Sequence, residues 1–238
     1  MPRRHFASAR CAAATVVLFC AALSPDARAD FQPGEFVTYS QDDWGTENTA
    51  ASQLLLNHFF TLYPNGVEIG ISGAGGNSAI FTTPEAVLIY LPASGGPAFP
   101  FENDYSDPTS TSAGAWGGYV LALQFDVDFN DAGLLTGSSS VLFGDLILHD
   151  LAGTPLFNGL SVREFLTGVN QFIGGSPPPY SYDDIAFLTD DLSRAFDSGT
   201  PSQFAQDHLA VPEPSAAGVA VLAMMLVRRR VGRRCAAA

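Results

Sequence analysis

The chain has 238 residues, 24 acidic side chains against 11 arginines and no lysine, and a formal charge of −13. That charge is unevenly placed: residues 1–29 carry +3, residues 215–238 carry +5, and residues 30–214 hold 23 acids against Arg163 and Arg194 alone, a local charge of −21. A core this acidic repels phosphate backbones, which excludes nucleic acid as a partner. Cys11, Cys20 and Cys235 all lie outside it, which excludes disulfides, thiol catalysis and thiolate metal sites there.

The N-terminus opens on Arg3, Arg4 and Arg10, continues through an apolar run of 13 residues from Cys11 to Leu23, and closes on Ala27-Arg28-Ala29. This is the layout of a cleavable signal peptide, with Ala27 and Ala29 as the small residues of the cleavage site and Asp30 as the first mature residue. A permanent span needs about 18 or more apolar residues. Residues 1–29 are therefore expected to be a leader, and 30–210 one exported acidic domain.

Within that domain, Leu54, Leu55, His58, Phe59 and Leu62 recur at spacings of three and four, predicting an amphipathic helix over 50–62. Tyr63-Pro64-Asn65-Gly66 breaks it, and Val67 to Ile71 reads as a strand. The glycine-rich stretch Gly70 to Gly76 lacks the spacing of a dinucleotide loop and reads as a turn. Thr83-Pro84-Glu85 opens a helix to Leu91, although Ala86 to Leu91 is also compatible with a strand.

Strict alternation of Leu121, Leu123, Phe125, Val127 and Phe129 predicts a half-buried strand ending at Asn130-Asp131-Ala132-Gly133, with a shorter strand over Val141 to Leu148. Ser161-Val162-Arg163-Glu164 is a capping box ahead of Phe165, Leu166, Val169, Phe172 and Ile173, with Gly174 and Gly175 as the stop. Ser181 to Asp184 repeats the pattern before Ile185, Leu188, Leu192 and Phe196, with Gly199 past the end. The order of elements predicts an α+β fold of several amphipathic helices and a few short strands, with a mainly α fold as the alternative.

Candidate chemistry is sparse. Among Asp126, Asp128, Asn130 and Asp131, the first three place oxygen ligands at the first, third and fifth positions, as a calcium loop does, but Asp131 stands where the turn glycine belongs and Gly137 where a bidentate Glu belongs. An irregular calcium site is the reading left open, against a strand with its polar face in water. His58, His149 and His208 lack a second histidine at metal-ligand spacing, and no nucleophile motif occurs. The pairs Asp42-Asp43, Asp183-Asp184 and Asp190-Asp191 offer carboxylates for acid/base work on a glycan; the simpler reading makes the 183–184 pair a helix cap and leaves the others on solvated faces.

From Val211 the chain reads Val-Pro-Glu-Pro, then 13 mostly apolar residues from Ser215 to Val227, then Arg228, Arg229, Arg230, Val231, Gly232, Arg233 and Arg234. Pro212 and Pro214 keep Glu213 on an extended segment. The apolar run rises only about 20 Å as a helix, and the arginines after it halt translocation and stay on the cytoplasmic side. With Pro212, Glu213 and Pro214 matching its motif, residues 211–238 resemble the PEP-CTERM sorting signal of exported bacterial proteins.

That resemblance implies recognition by an exosortase, loss of the hydrophobic tail, and delivery to the cell surface or an exopolysaccharide matrix. Export machinery, signal peptidase and envelope or exopolysaccharide components are the partners expected, with membrane contact only through the tail. The arrangement of Phe81 to Pro92, Gly117 to Gly133 and the two capped helices also resembles core modules of other exported proteins with sorting tags. That second likeness implies a helix over 119–129 in place of the strand. The function expected for the core is a non-enzymatic interaction or structural module; the alternative is a glycan-active enzyme using paired carboxylates.

Overall fold

A computed structural model describes residues 30–212, apart from Ala74 and Thr136. The leader with Ala27 and Ala29, and the tail from Glu213 through Pro214 to Arg228, Arg229 and Arg230, lie outside the described residues.

Helix starts are set by side-chain caps at nearly every step. Ser40 and Asp43 form a reciprocal capping box on α1 (Gln41–Gly45), and Thr49 caps α2 (Ala50–Leu62). After the turn at 63–66 come β1 (Val67–Gly70) and β2 (Ser78–Phe81), antiparallel with Val67 opposite Phe81 and Gly70 opposite Ser78. The glycine-rich stretch is thus the connection of a hairpin and opens no helix. Gly70 adopts φ 98°, and a Cβ there would stand 2.5 Å from the Asn77 carbonyl oxygen.

Thr83 caps α3 (Pro84–Tyr90), with Pro84 at its first turn, so the helical alternative holds there. β3 (Tyr105–Ser106) then adds to β2 in parallel. Next comes α4 (Ala115–Asp131), the longest element among the described residues. Beyond it, β4 (Ile147–Leu148) precedes α5 (Val162–Ile173), α6 (Tyr182–Ser193), α7 (Gln203–His208) and β5 (Leu209–Ala210), the last pairing antiparallel with β4. Ser161 and Glu164 build the expected capping box on α5, and Ser181 and Ser202 cap α6 and α7.

The architecture is a single α+β domain. α4 lies at its centre, packing most extensively against α6 and also meeting α5, α1 and β1. Trp116, Val120, Leu121, Leu123, Phe125, Val127 and Phe129 are all buried, on every side of the helix. This corrects the strand expected over 121–129. A helix apolar all round shows a run of buried odd positions as readily as a strand does, and Trp116, Val120 and Ala122 on the even positions share the same core. The helix implied by the second family likeness is the one observed.

Two smaller corrections follow the same logic. Of the strand expected over 141–148, only Ile147–Leu148 is one, because Phe143–Asp145 forms a 3-10 turn that buries Phe143. α6 stops at Ser193 short of Phe196 and Gly199, since the backbone of Phe196 turns away to exchange bonds with Thr38. Thr38 N donates to the Phe196 carbonyl at 3.0 Å, and Phe196 N donates to Thr38 Oγ1 at 3.0 Å.

That exchange draws the start of the domain onto its end. Phe31 and Phe36 pack edge-on or tilted against Phe196, and Gln206 clasps both backbone groups of Phe31. With no cysteine in this region, apolar burial supplies the stability. The melting temperature of residues 30–211 is expected to be the same with and without dithiothreitol; a shift would show a dependence on thiol state that this interior does not contain.

Candidate functional site

The four predicted calcium ligands lie on the last turns of α4, where helical geometry divides them. Successive residues turn by about 100°, so Asp126 and Asn130 share one side and Asp128 and Asp131 the opposite one. Each is committed elsewhere. Asp126 is fully buried, and its Oδ1 accepts from Tyr39 N at 2.9 Å and Trp44 Nε1 at 3.2 Å, while Oδ2 is buried without a hydrogen-bond partner. Asn130 donates to the Leu135 carbonyl at 2.9 Å and accepts from Phe143 N at 2.8 Å, fixing the turn that follows the helix.

On the other side, Asp128 Oδ2 accepts from Tyr63 Oη and from Gln124 Nε2, both at 2.7 Å. Asp131 takes a two-pronged contact from Arg163, which also reaches Asp145 at 3.3 Å. The hydrogen bonds of these side chains thus run to different partners on opposite sides of the helix. Among the described residues no group of three or more His, Cys, Asp or Glu side chains is placed to hold a metal ion.

Electrostatics follow from this burial. Desolvation holds the Asp126 carboxyl well above the usual carboxylate range, with Asp43 and Asp197 adding to the rise and the two N–H donors opposing it. Asp128 is raised more moderately, again by desolvation, against the pull of its Gln124 and Tyr63 bonds. The Tyr63 phenol is raised by burial and by the Asp128 charge, so at neutral pH it stays a donor.

The paired carboxylates of the sequence are also separated by role. Asp43 completes the α1 capping box, and Asp42 pairs with Arg194 at 3.6 Å. Asp190 bonds Arg194 at 2.8 Å, and Asp183 accepts from Ala98 N at 2.9 Å, tying α6 to the 92–100 loop. Asp184 receives the Ser181 hydroxyl at 2.6 Å as part of its helix cap. His58 is half-buried on α2.

Two concave surfaces stand out among the described residues. One, of about 220 Å³, is lined by residues of 89–94 and 109–114, among them Ser94, Thr109, Ser110 and Thr111, whose hydroxyl pairs with Tyr90 Oη at 3.1 Å. The other, of about 350 Å³, is bounded by the 150–154 loop, α6 and α7, and is walled by Asp150, Asp184, Phe187, Asp191, Phe204 and His208. Burial against this wall and the charge of Asp190 raise Asp191, with His208 and Arg194 pulling the other way. His208 Nδ1 lies 3.3 Å from the His149 carbonyl oxygen, and His149 N donates to the His208 carbonyl at 3.0 Å.

Sequence spacing alone did not bring His149 and His208 together; the β4–β5 pairing does, across 59 residues. The only hint was the placement of each histidine beside a short apolar pair. No family model, curated protein or solved structure matches this chain. Its class is defined by its own architecture, an α+β domain with a helix buried at its centre.

Proposed function

We propose that the chain is an exported protein whose leader is removed after Ala29. On this reading the tail at 211–238 holds it at the membrane until an exosortase-type enzyme cuts at Pro212-Glu213-Pro214. The acidic core is then left at the cell surface or in an exopolysaccharide matrix, where it acts as a non-enzymatic interaction or structural module. The observation that carries the reading is the order of the tail: a proline-flanked acid, a short apolar run and an arginine block, in a chain that also opens on a leader.

The make-up of the core supports it. Both arginines of the described residues are engaged with carboxylates, Arg163 with Asp131 and Asp145, Arg194 with Asp190 and Asp42, which leaves the surface strongly acidic and unsuited to phosphate. Among the described residues no helix is long and apolar enough to cross a membrane.

A glycan-cleaving core would need two free carboxylates about 5–10 Å apart on either side of a sugar. The two acids that α6 contributes to the larger cleft, Asp184 and Asp191, stand two turns apart, about 10 Å along the axis. One of them is already bonded within its cap. Mass spectrometry of the protein recovered from the exterior of its host is expected to find Asp30 at the N-terminus and no residue of 228–234. An intact C-terminus bearing Arg228 to Arg234 there would sink the sorting assignment.

A further inference from the structure

Asparagine is followed by glycine at two places in the chain, Asn65-Gly66 and Asn158-Gly159. In such a dipeptide the backbone nitrogen of the glycine can reach the asparagine side-chain carbonyl carbon, and the absent Cβ removes the steric bar to closing a cyclic imide. Both asparagines are exposed. Exposure therefore does not separate them, and their hydrogen bonds do.

Asn158 is tied to three other positions. Its Oδ1 accepts from Leu151 N at 2.9 Å, its own N donates to the Pro155 carbonyl at 3.2 Å, and Gly159 N donates to the Leu148 carbonyl at 2.7 Å. Ring closure at Asn158 has to free the side chain from Leu151 and the glycine nitrogen from β4. Asn65 is held more lightly, at the third position of the turn Tyr63-Pro64-Asn65-Gly66, whose bond runs from Gly66 N to the Tyr63 carbonyl at 3.0 Å. Its side chain makes no hydrogen bond among the described residues. Gly66 adopts φ 90°, and a Cβ there would stand 2.6 Å from the Phe81 carbonyl oxygen, so the position that supplies the reactive nitrogen admits only glycine.

We propose that Asn65 converts without an enzyme to aspartate and isoaspartate through a cyclic imide, while the hydrogen bonds of Asn158 protect it. Gly66 N, having given its proton to base in solvent, attacks Asn65 Cγ and forms the N–Cγ bond; the Cγ–Nδ2 bond breaks, and Nδ2 takes up a proton and leaves as ammonia. Water then adds to one of the two imide carbonyls and breaks its bond to the Gly66 nitrogen. Opening at Cγ gives aspartate, and opening at the main-chain carbonyl gives isoaspartate, in which the main chain runs through the former side chain. Nothing is oxidised or reduced. Either product adds a negative charge to the turn, and isoaspartate lengthens the main chain by a methylene just ahead of Val67, the residue that pairs with Phe81 to close the hairpin. The proposal is independent of the tail: processing at 212–214 can fail while Asn65 converts, and the reverse.

The test incubates the purified protein in mildly alkaline buffer, native and in urea. Mass spectrometry follows the peptides that hold Asn65 and Asn158, with electron-transfer fragmentation to tell isoaspartate from aspartate. In the native protein Asn65 is expected to convert about tenfold faster than Asn158, since one further hydrogen bond to break is worth about that factor in rate. In urea the two rates should converge. Asn65→Gln, whose longer side chain disfavours the ring, should remove the product at 65 and leave the rate at 158 unchanged. An unreacted Asn65 in the native protein, native rates that are equal or reversed, or aspartate formed without isoaspartate overturns the proposal; a ratio that persists in urea overturns the protection of Asn158 by the fold.

Discussion

Replacing Asp126 with alanine is expected to destabilise the protein by about 3 kcal/mol near pH 5, because Tyr39 N–H and Trp44 Nε1–H lose their shared acceptor in a closed interior. Asp126→Asn keeps that acceptor and separates the hydrogen bonds from the charge. Burial puts the folded pKa of Asp126 above its unfolded value, so between the two the native state holds a proton that the unfolded chain has released. Stability from this group is then complete below about pH 4 and falls by about 1.4 kcal/mol per pH unit as the pH rises toward the folded pKa. The Asn variant has no such slope at this position.

Urea unfolding of wild type and Asp126→Asn at pH values from about 4.5 to 7.5 should give curves that diverge, with the variant gaining on the wild type as pH rises. Asp128 and Asp191, also raised, contribute equally to both proteins and cancel in the difference. Parallel curves would mean that Asp126 ionises in the folded state as easily as in the unfolded one.

The helices that were legible in the sequence are those whose information is local. α2, α5 and α6 each have an apolar stripe at helical spacing, and α5 and α6 begin where the caps Ser161 and Ser181 predict. α4 was illegible for the opposite reason. It is surrounded, its N-cap is Gly114 with no side-chain bond, and nothing polar marks an outer face through most of its length. The few polar residues at its end invited a metal reading because they alternate, whereas a helix sends them to opposite sides, toward Trp44 and Tyr63.

The first residues of the domain gave no periodic signal either. Phe31, Phe36 and Thr38 are held by partners more than 150 residues away, so their order is a property of the tertiary fold alone. The larger cleft has the same character. α6 was expected and its acids were noted, but the approach of α7 and the pairing of β4 with β5, which turn a charged helix face into a concavity, depend on contacts that no window of sequence contains.

Glu213→Ala is expected to convert an exported, processed protein into a membrane-retained precursor. The reasoning rests on what the substitution leaves alone. Pro212 and Pro214 fix the local backbone by their own rings and by restricting the residue before them, so removing the Glu213 side chain leaves the segment extended. The charge is the one feature of the motif that changes. β5 ends at Ala210, and Val211 and Pro212, the last described residues, are exposed directly after it. In the variant, the apolar run from Ser215 to Val227 and the arginines behind it remain attached, and the protein should fractionate with the membrane while the wild type does not. Immunoblots of membrane and exterior fractions, with Glu47→Ala as an acid removed from the surface elsewhere, distinguish loss of the motif from loss of charge in general. Processing of Glu213→Ala at the wild-type level would show that the carboxylate is not what the cutting enzyme reads, and retention of Glu47→Ala alongside it would show that export responds to overall charge instead.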